Sequence, residues 1–386
     1  MHKIEIRNKI AIYLDHRELI NKIYNNDIAE LEEKYELHTE LFHFHERRIE
    51  VEDSHTIQQP ETKAGNSKLA EKSSKKRKRK LNKMAVVEEL QKLKTIVEDI
   101  LGLVKVQQLI NRVESQNGSD LPRYWEEIST KDFPTFNGVN TTATYKRSRF
   151  GEHSYLIPPH CKFFNCDVME LSKLLPQLMP NSKRFDLIVL DPPWRNKYIR
   201  RLKRVREELG YQMLSSEQLL QMPIRQLKHE RSIVAIWCTN SKELQRAIVE
   251  QLLPAWNLRL QHTIHWIKVN TSGQLIGPID VSGQKKQPFE MLYLACHMDS
   301  SAEFCTSLQQ VSAILSVPSV IHSHKPPLLP LLSGLLPQKP NCLEIFARYL
   351  QPRFVSVGLE VLKLMDERLY NYCDTSTGNA AIIGST

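Results

Sequence analysis

Four residues at the end of an apolar run combine groups that could hold an amine. The run FDLIVL, residues 185–190, is followed by Asp191, Pro192, Pro193 and Trp194. A carboxylate can accept one N–H of an exocyclic amine and a proline carbonyl the other. An indole can provide a flat wall for a nucleobase. In the alternative interpretation the two prolines only end the strand, because proline cannot donate to a β-ladder.

Positive charge follows this tetrapeptide directly. Seven of the next twelve residues are basic, namely Arg195, Lys197, Arg200, Arg201, Lys203, Arg204 and Arg206. A smaller cluster upstream contains Tyr145, Lys146, Arg147 and Arg149. Such side chains contact nucleic-acid phosphates and position a strand, although a solvated helix face would carry the same charges. An exocyclic amine of a base is inaccessible in a stacked duplex, so a nucleic-acid target should be single-stranded, looped or flipped.

Composition restricts the class of protein. The chain has 386 residues, a formal net charge of +9 and seven scattered cysteines. No apolar run approaches the roughly 18 residues that a membrane span needs, and the start MHKIEIRNK is charged within three residues. We therefore expect neither a signal peptide nor a membrane anchor, and reduced thiols. The spacing of histidines and cysteines predicts no metal site.

Most of the excess charge lies in one polar segment. Residues 68–83 contain nine Lys or Arg and one acid, with the core KKRKRK at 75–80. This pattern is typical of a nuclear localisation signal or a nucleic-acid tether, and a solvated charge run is the alternative. We expect a disordered basic linker over 52–83. The expected location is the nucleus, with the cytoplasm as a second compartment.

The remaining pattern divides the chain into segments. Residues 1–51 hold too few apolar stretches for a core of their own, so they should pack on the main domain. Apolar residues at helical spacing predict an amphipathic helix over 84–120, and residues 376–386 should form a flexible tail. Within the main domain, 121–375, short β-rich runs alternate with helical segments; the runs are 161–168, 185–190, 232–237, 262–268, 289–296, 342–347 and 354–357.

This alternation predicts an α/β fold, in which helices cover both faces of a twisted, mostly parallel sheet. Strands that are buried on both faces should be continuously apolar, as residues 187–190 and 233–237 are. Ligands of such sheets bind at the carboxyl ends of the strands. Asp191 follows a strand and therefore should lie at that edge.

The tetrapeptide and the segments around it resemble the DPPW-motif adenine-N6 methyltransferase family, of the mRNA adenosine methyltransferase type. The matching blocks lie within roughly residues 120–370 and include NCDVMEL (165–171), GYQMLSSEQLLQMPI (210–224), WCTNSKEL (237–244), HWIKVNTSGQ (265–274), SHKPP (323–327) and LEIFAR (343–348). The resemblance implies a Rossmann-like, S-adenosylmethionine-dependent methyltransferase fold with permuted motif order, in which the catalytic strand precedes the cofactor strand. Consistent with this, the chain contains no GxGxxG dinucleotide motif.

The resemblance also implies cofactor contacts for individual residues. Asp167 and Val168 match positions that meet the adenine of S-adenosylmethionine. Lys325 matches the lysine that pairs with the methionyl carboxylate, a role suited to a point charge. Arg348 matches an arginine beside the ribose, and Glu344 lies nearby at the end of a strand.

Two positions depart from the family pattern. Ala347 stands where glycine is common, and the segment SVGLE (356–360) replaces an ending of the Trp-Gly-Asn-Glu type. Leu359 cannot make the polar contact of an asparagine, so reduced affinity is expected on the ribose side of the cofactor. Glu360 remains there as an acceptor.

The expected activity is methyl transfer to N6 of adenosine in RNA, with Asp191 contacting both the cofactor's amino group and the target amine. The resemblance implies small nuclear RNA, including 2′-O-methylated adenosine, and N6-adenine in DNA is the alternative of the same class. A non-catalytic RNA-binding subunit and a structural scaffold are alternatives of other classes. The scaffold leaves the tetrapeptide and the basic run unexplained. We expect a monomer in which residues 1–51 substitute for a partner chain, and a partner subunit stays open.

Overall fold

The structure is a computed structural model of the chain. It describes residues 1–6, 9–25, 33–42, 69–103, 106, 108–109, 127–128, 133–194, 214–282, 286–301, 304, 306, 311–321 and 323–374. The basic run that follows Trp194, the first part of the predicted linker (52–68) and the predicted tail (376–386) lie outside the described residues.

The strands are short except in the centre of the sheet. In chain order they are β1 His2–Ile6, β2 Lys9–Tyr13, β3 Glu33–Leu37, β4 Phe136–Asn140, β5 Lys146–Phe150, β6 His153–Ile157, β7 Cys161–Asn165, β8 Phe185–Leu190, β9 Lys228–Cys238, β10 Leu258–Lys268, β11 Phe289–His297, β12 Val311–Ser316, β13 Cys342–Ile345, β14 Phe354–Gly358 and β15 Tyr370–Asp374.

The helices lie mainly between these strands. They are α1 His16–Asn25, α2 Leu69–Leu101, α3 Leu171–Leu178, α4 Ser216–Leu220, α5 Ile224–Leu227, α6 Lys242–Ala247, α7 Leu253–Ala255 and α8 Leu329–Leu332. A π-helical turn, Ile248–Leu252, joins α6 to α7. Helix α4 begins with a capping box: the Gln218 backbone N–H donates to the Ser215 hydroxyl, and the Ser215 backbone N–H donates to the Gln218 side chain.

One mixed sheet of eleven strands forms the centre of the protein, in the order β1-β2-β12-β10-β11-β9-β8-β13-β14-β7-β4. Strands β9, β8, β13, β14 and β7 pair in parallel, whereas β1, β4 and β11 run antiparallel to their neighbours. The predicted α/β, Rossmann-like fold is therefore confirmed. Strand β8, which ends in the tetrapeptide, precedes its neighbour β13 in the chain, as the permuted order implied.

Side chains of the central strand β8 enter two apolar layers on opposite faces of the sheet. Ile188 and Leu190 pack in the layer that contains side chains of α2, α3 and α4. Leu187 and Val189 pack in the other layer, with side chains of α1 and α8. All four are at most 5% exposed, so β8 is covered on both faces, which explains why its sequence is apolar without alternation.

The N-terminal segment is joined to the main domain by strand pairing in its described residues. Strand β2 pairs in parallel with β12, and β1 adds to its outer side. Strand β3 pairs antiparallel with β15 near the other end of the chain. Strands β1 and β2 therefore extend the central sheet, and β3 forms a second, small sheet with β15.

The basic segment differs from its prediction. Helix α2 begins at Leu69, so residues 69–83 belong to a helix in the structure, whereas the sequence predicted a disordered linker over 52–83. Lysine, arginine, alanine and glutamate have high helix propensities. A helix that is already held by the buried side chains of Leu90, Val97 and Ile100 can therefore extend through such a sequence.

The described part of the chain holds neither a membrane-spanning helix nor a cluster of metal ligands. None of its helices combines the length and hydropathy that a bilayer-spanning helix needs. No group of three or more His, Cys, Asp or Glu side chains among the described residues is arranged to hold a metal ion.

Candidate active site

Asp191 lies at the carboxyl edge of the parallel strands. It follows β8, which has β9 on one side and β13 on the other. Its backbone N–H points toward the carbonyl of Ile345 at 3.4 Å, and its side chain is 17% exposed. The carboxylate is therefore partly desolvated but still reachable, as a group that binds a ligand must be.

A chain of alternating charges connects Asp191 to side chains of β11 and β10. Lys325 Nζ lies 3.3 Å from Asp191 Oδ2 and 2.8 Å from Glu290 Oε2. The other oxygen of Glu290 pairs with Lys268. Two carboxylates and two lysines thus form one network, in which each inner charge has an opposite charge on both sides.

This network includes two residues to which the sequence assigned no role. Glu290 belongs to β11 and Lys268 to β10, and Lys268 lies inside the matched block 265–274. A signal was present for Glu290, since it is a charged residue in a run that is otherwise largely apolar. A charge in a buried strand is expensive unless it is paired, so such residues indicate a partner even when the partner cannot be named.

Electrostatics keep these groups charged. Burial alone would raise the pKa of Glu290, but Lys268 and Lys325 hold that pKa well below its usual range. Burial alone would lower the pKa of Lys325, but Asp191 and Glu290 raise it above its usual range. Lys325 is therefore a cation over the whole physiological range, and it is held against the face of Trp237, with Nζ 5.7 Å from the ring centroid.

Trp194 is part of the packed interior. Its indole N–H donates to the carbonyl of Trp237 at 2.9 Å, and the residue is only 6% exposed. Its backbone N–H donates to the Pro192 carbonyl at 2.8 Å, which leaves that oxygen one lone pair for another donor. The Pro193 carbonyl accepts the N–H of Leu214 at 3.2 Å. The tetrapeptide is thus held rigidly, whereas a role of Trp194 as a base wall stays a prediction.

Glu344 is a buried carboxyl next to this network. It lies at the carboxyl end of β13, is 6% exposed and accepts a hydrogen bond from Gln351 Nε2 at 2.9 Å. Burial raises the pKa of Glu344 to about 8, and the nearby charge of Asp191 contributes. No cation pairs with Glu344 among the described residues. A cationic ligand group in the site would therefore favour the ionised form of Glu344 and form an ion pair with it.

The ribose-side residues predicted from the resemblance form their own cluster. Arg348 Nε lies 2.9 Å from Glu360 Oε2, and Lys363 pairs with the other oxygen of Glu360. Glu360 is therefore already engaged by two cations. Leu359 is 49% exposed beside it and offers an apolar surface at this position.

The loops at this edge approach one another closely at a glycine. A Cβ on Gly358 would lie 3.0 to 3.2 Å from backbone atoms of Phe346 and Ala347, and the Ala347 N–H donates to the Val357 carbonyl at 3.1 Å. Phe346 has a φ of 67°, a left-handed conformation that is strained for a bulky residue. The turn after β13 is therefore held in place by β14.

Asp167 and Val168 follow β7 at the same edge. The Asp167 side chain accepts the Met169 backbone N–H at 2.9 Å and caps the turn that leads into α3. Val168 is 4% exposed and packs in the layer beneath the sheet. Only the carboxylate of Asp167 and the backbone of Val168 are thus suited to meet an adenine.

The donor set at this edge fits the methionyl end of S-adenosylmethionine. That group carries a carboxylate and an ammonium, and the site offers a buried lysine, Lys325, together with the unpaired buried carboxyl of Glu344. Both residues were predicted cofactor contacts on the basis of the family resemblance. The structure brings them together with Asp191, whose charge is felt by both of them.

The predicted nucleic-acid residues upstream differ in their surroundings. Lys146 and Arg149 lie on β5 and are exposed. Arg147 pairs with Glu367 at 2.9 Å and lies over the ring of Tyr372. All three cations are exposed to solvent on one hairpin, although Arg147 is already paired with Glu367.

Tyr145 requires a correction, because it is a core residue. It is 8% exposed, its hydroxyl donates to the Tyr24 carbonyl at 3.0 Å, and its ring packs against Tyr35 with centroids 5.1 Å apart. The prediction that Tyr145 lines a nucleic-acid groove was wrong. The sequence could not show that the N-terminal segment supplies the tyrosines that cover it.

Known proteins are similar to the region of the chain that contains this site. A family model described as MT-A70 matches residues 185–360. The N(6)-adenine-specific methyltransferase METTL4 of Mus musculus is 35% identical over 216 residues, which are 54% of this chain and 43% of the mouse protein. A DNA N6-methyl methyltransferase of Caenorhabditis elegans is 34% identical over 217 residues, 56% of this chain and 55% of that protein. The N6-methyladenosine RNA methyltransferase MTA1 of Pyricularia oryzae is 33% identical over 220 residues, 55% of each chain. The matched region thus spans only about half of these relatives.

Proposed function

Because residues 185–360 of this chain belong to the MT-A70 family, we propose that the protein transfers the methyl group of S-adenosylmethionine to N6 of adenine in a nucleic acid. The family match confirms the resemblance to the DPPW-motif methyltransferases, and within them to methyltransferase-like protein four. One observation carries the proposal: the Asp191 carboxylate ends β8 beside a buried lysine and a buried, unpaired acid.

The residues of the chain would act mainly by positioning. When bound, the cofactor supplies an electrophilic methyl group on a sulfonium. The adenine nitrogen must turn its lone pair out of conjugation and toward that methyl group at near-attack distance. Asp191 and the free lone pair of the Pro192 carbonyl can accept the two N–H groups of the amine and hold it in that orientation.

The same acceptors favour the transition state. Positive charge develops on nitrogen as the new bond forms, and a fixed carboxylate at that point stabilises it. The product ammonium is acidic and can lose its proton to water or to Asp191, so the reaction requires no separate general base. For Asp191 to act in this way, Lys325 must move toward the cofactor carboxylate, with Glu290 as its remaining partner.

We propose RNA as the substrate, and within RNA the adenosine of small nuclear RNA, including 2′-O-methylated adenosine. The resemblance to methyltransferase-like protein four supports this choice, and the exposed cations Lys146 and Arg149 suit a phosphate backbone. DNA is the alternative substrate, because one of the relatives carries the name of a DNA methyltransferase. The basic segment 68–83 supports a nuclear location with the cytoplasm as a second compartment, and we propose a monomer.

A non-catalytic RNA-binding subunit is the alternative of another class. Two observations favour this alternative: Glu360 is already paired with Arg348, and Leu359 is exposed. Both would weaken binding of the cofactor ribose. The intact tetrapeptide and the unpaired Glu344 favour the enzyme, since neither group has a use in a module that only binds RNA.

In the test, the purified protein is incubated with labelled S-adenosylmethionine and one of three substrates: a structured small RNA, the same RNA with 2′-O-methyl adenosine, or a matched DNA. Each is run with wild-type protein, Asp191→Asn and Asp191→Ala. We expect label in N6-methyladenosine from RNA, and at least about 10²-fold less label with either variant. Both variants should still unfold cooperatively, at a somewhat lower melting temperature, because each removes one anionic partner of Lys325. Full activity of Asp191→Asn would overturn the mechanism, and RNA binding without any cofactor binding would favour the non-catalytic subunit.

A further inference from the structure

A cluster of buried rings joins the N-terminal segment to the loop that carries Lys325. His16, in the first turn of α1, is 1% exposed. Its ring centroid lies 5.4 Å from those of His324 and Phe42 and 5.9 Å from that of Trp266, in each case edge-on. His324 immediately precedes Lys325. The helix α1 therefore contacts the loop one residue from the proposed cofactor ligand.

The two imidazoles are neutral, so they pack as aromatic rings. Burial lowers the pKa of His324 to about 3. Burial lowers the pKa of His16 well below its usual range, His324 adds to this effect, and the backbone of Lys325 opposes it. A proton on His16 would also be opposed by the charges of Lys268 and Lys325. The contact is thus insensitive to pH in the physiological range.

Hydrogen bonds hold the loop and the segment that leads into it. The Leu14 N–H donates to the Leu315 carbonyl at 2.8 Å, and the Val320 N–H donates to the Leu41 carbonyl at 2.7 Å. On the other side, the Tyr349 hydroxyl donates to the Lys325 carbonyl at 3.4 Å. The loop therefore lies between the N-terminal segment and the turn that follows β13.

The conformation of the loop needs such support. Ser323 has a φ of 61°, a left-handed conformation that is costly for a residue other than glycine and persists only where the surroundings impose it. Pro326 and Pro327 restrict the chain just beyond Lys325. The His324 ring, which packs against His16, Phe42 and Tyr349, anchors the chain between the strained residue and the lysine.

We propose that His16 is a positioning residue for the cofactor: it holds the loop 323–327, and thereby Lys325, in the orientation that receives the methionyl carboxylate. The inference rests on the proposed function and extends it to a residue outside the family match, which begins at residue 185. An ordinary packing role for His16 would affect stability alone. A positioning role also affects cofactor affinity.

The test compares two variants of the same helix by calorimetric titration with S-adenosylhomocysteine. His16→Leu removes the ring contacts, whereas Arg17→Gln removes the bond from Arg17 Nε to the Leu37 carbonyl (2.7 Å) and the ion pair with Glu36. Both loosen α1, but only the first affects the loop. We expect the dissociation constant to rise about 2- to 10-fold in His16→Leu, as the loss of an aromatic contact implies, and to stay at the wild-type value in Arg17→Gln.

His16→Phe, which retains a ring, should restore most of the affinity. Equal dissociation constants for His16→Leu and Arg17→Gln would overturn the proposal, whereas failure of the wild-type protein to bind S-adenosylhomocysteine would instead contradict the proposed function. If His16→Leu does not fold, hydrogen exchange of the wild-type protein decides. S-adenosylhomocysteine should slow exchange in α1 as well as in the loop 323–327, and slowing in the loop alone would overturn the proposal.

Discussion

Lys325 Nζ lies 3.3 Å from Oδ2 of Asp191, so the carboxylate proposed to hold the target amine is paired with the lysine proposed to hold the cofactor. Glu290 binds the same lysine at 2.8 Å. The two binding functions of the site therefore share one charge network. Changes in that network should affect stability and binding together.

Removal of the central carboxylate should destabilise the fold. Glu290→Gln leaves Lys268 and Lys325 facing each other without their common anion, and breaking a buried pair in this way costs about 3–5 kcal/mol. Urea denaturation measures the free energy of unfolding. As a control, Glu367→Gln removes the partner of the half-exposed Arg147 and should cost less than about 1 kcal/mol. Equal costs for the two variants would contradict the buried network.

Glu344 should make the folded protein less stable as pH rises, which is the opposite of the effect of a carboxylate whose pKa is lowered by an ion pair. Its pKa is about 8 in the folded protein, against an ordinary value of 4.5, so the folded state binds a proton that the unfolded state has lost. The sign follows from linkage: stability is greatest below about pH 4.5 and decreases as pH rises toward about 8, by at most about 1.4 kcal/mol per pH unit.

Glu344→Gln should remove this dependence and still accept the bond from Gln351. We expect the variant to melt at a higher temperature than the wild-type protein at pH 8, with the difference shrinking toward pH 5, and to bind S-adenosylhomocysteine more weakly. Thermal melts of both proteins across this range measure the effect. A variant that is less stable than wild type at pH 8 would show that Glu344 is not an unpaired acid.

The contact between β14 and the turn after β13 should not tolerate a methyl group. Gly358→Ala places a Cβ about 3 Å from backbone atoms of Ala347 that are held by their own hydrogen bond, and overpacking of this kind costs about 1–3 kcal/mol. Gly334→Ala is the control, because a Cβ there meets nothing within 4 Å. Chemical denaturation of both variants should separate them by at least about 1 kcal/mol.

The hairpin cations and the neighbouring tyrosine should behave differently with RNA. The double change Lys146→Gln and Arg149→Gln should weaken RNA binding and lower the slope of log affinity against log salt by up to about 1.4, or about 0.7 for each lost contact with a single strand. An unchanged slope would mean that the hairpin does not contact phosphate.

Tyr145→Phe should give the opposite pattern. It removes a buried hydrogen bond to the Tyr24 carbonyl, which should cost about 1 kcal/mol of stability, while the ring contacts remain. RNA affinity and its salt dependence should stay at the wild-type values. A salt-dependent loss of affinity in this variant would restore Tyr145 to the nucleic-acid surface.

Local patterns were enough to predict the central strands and the tetrapeptide at their edge. Residues 185–190 were predicted as a strand, and β8 has those bounds, because a continuous apolar run ended by two prolines admits few other structures. The strands of the N-terminal segment and of the hairpin were missed. Segments such as KRSRF in β5 have little apolar periodicity, and only their partners make them strands.

Family motifs likewise identified Asp191, Lys325 and Glu344, since each lies inside a matched block. Tertiary structure decided three other relationships: Glu290 and Lys268 join Lys325 in one charge network, Tyr145 is buried beneath N-terminal tyrosines, and His16 contacts His324. In the last case 308 positions of the chain separate the two rings, from 16 to 324. Side-chain type and local spacing carry no information on such pairs, because strand order and register, which depend on the packing of the whole sheet, decide which distant residues become neighbours.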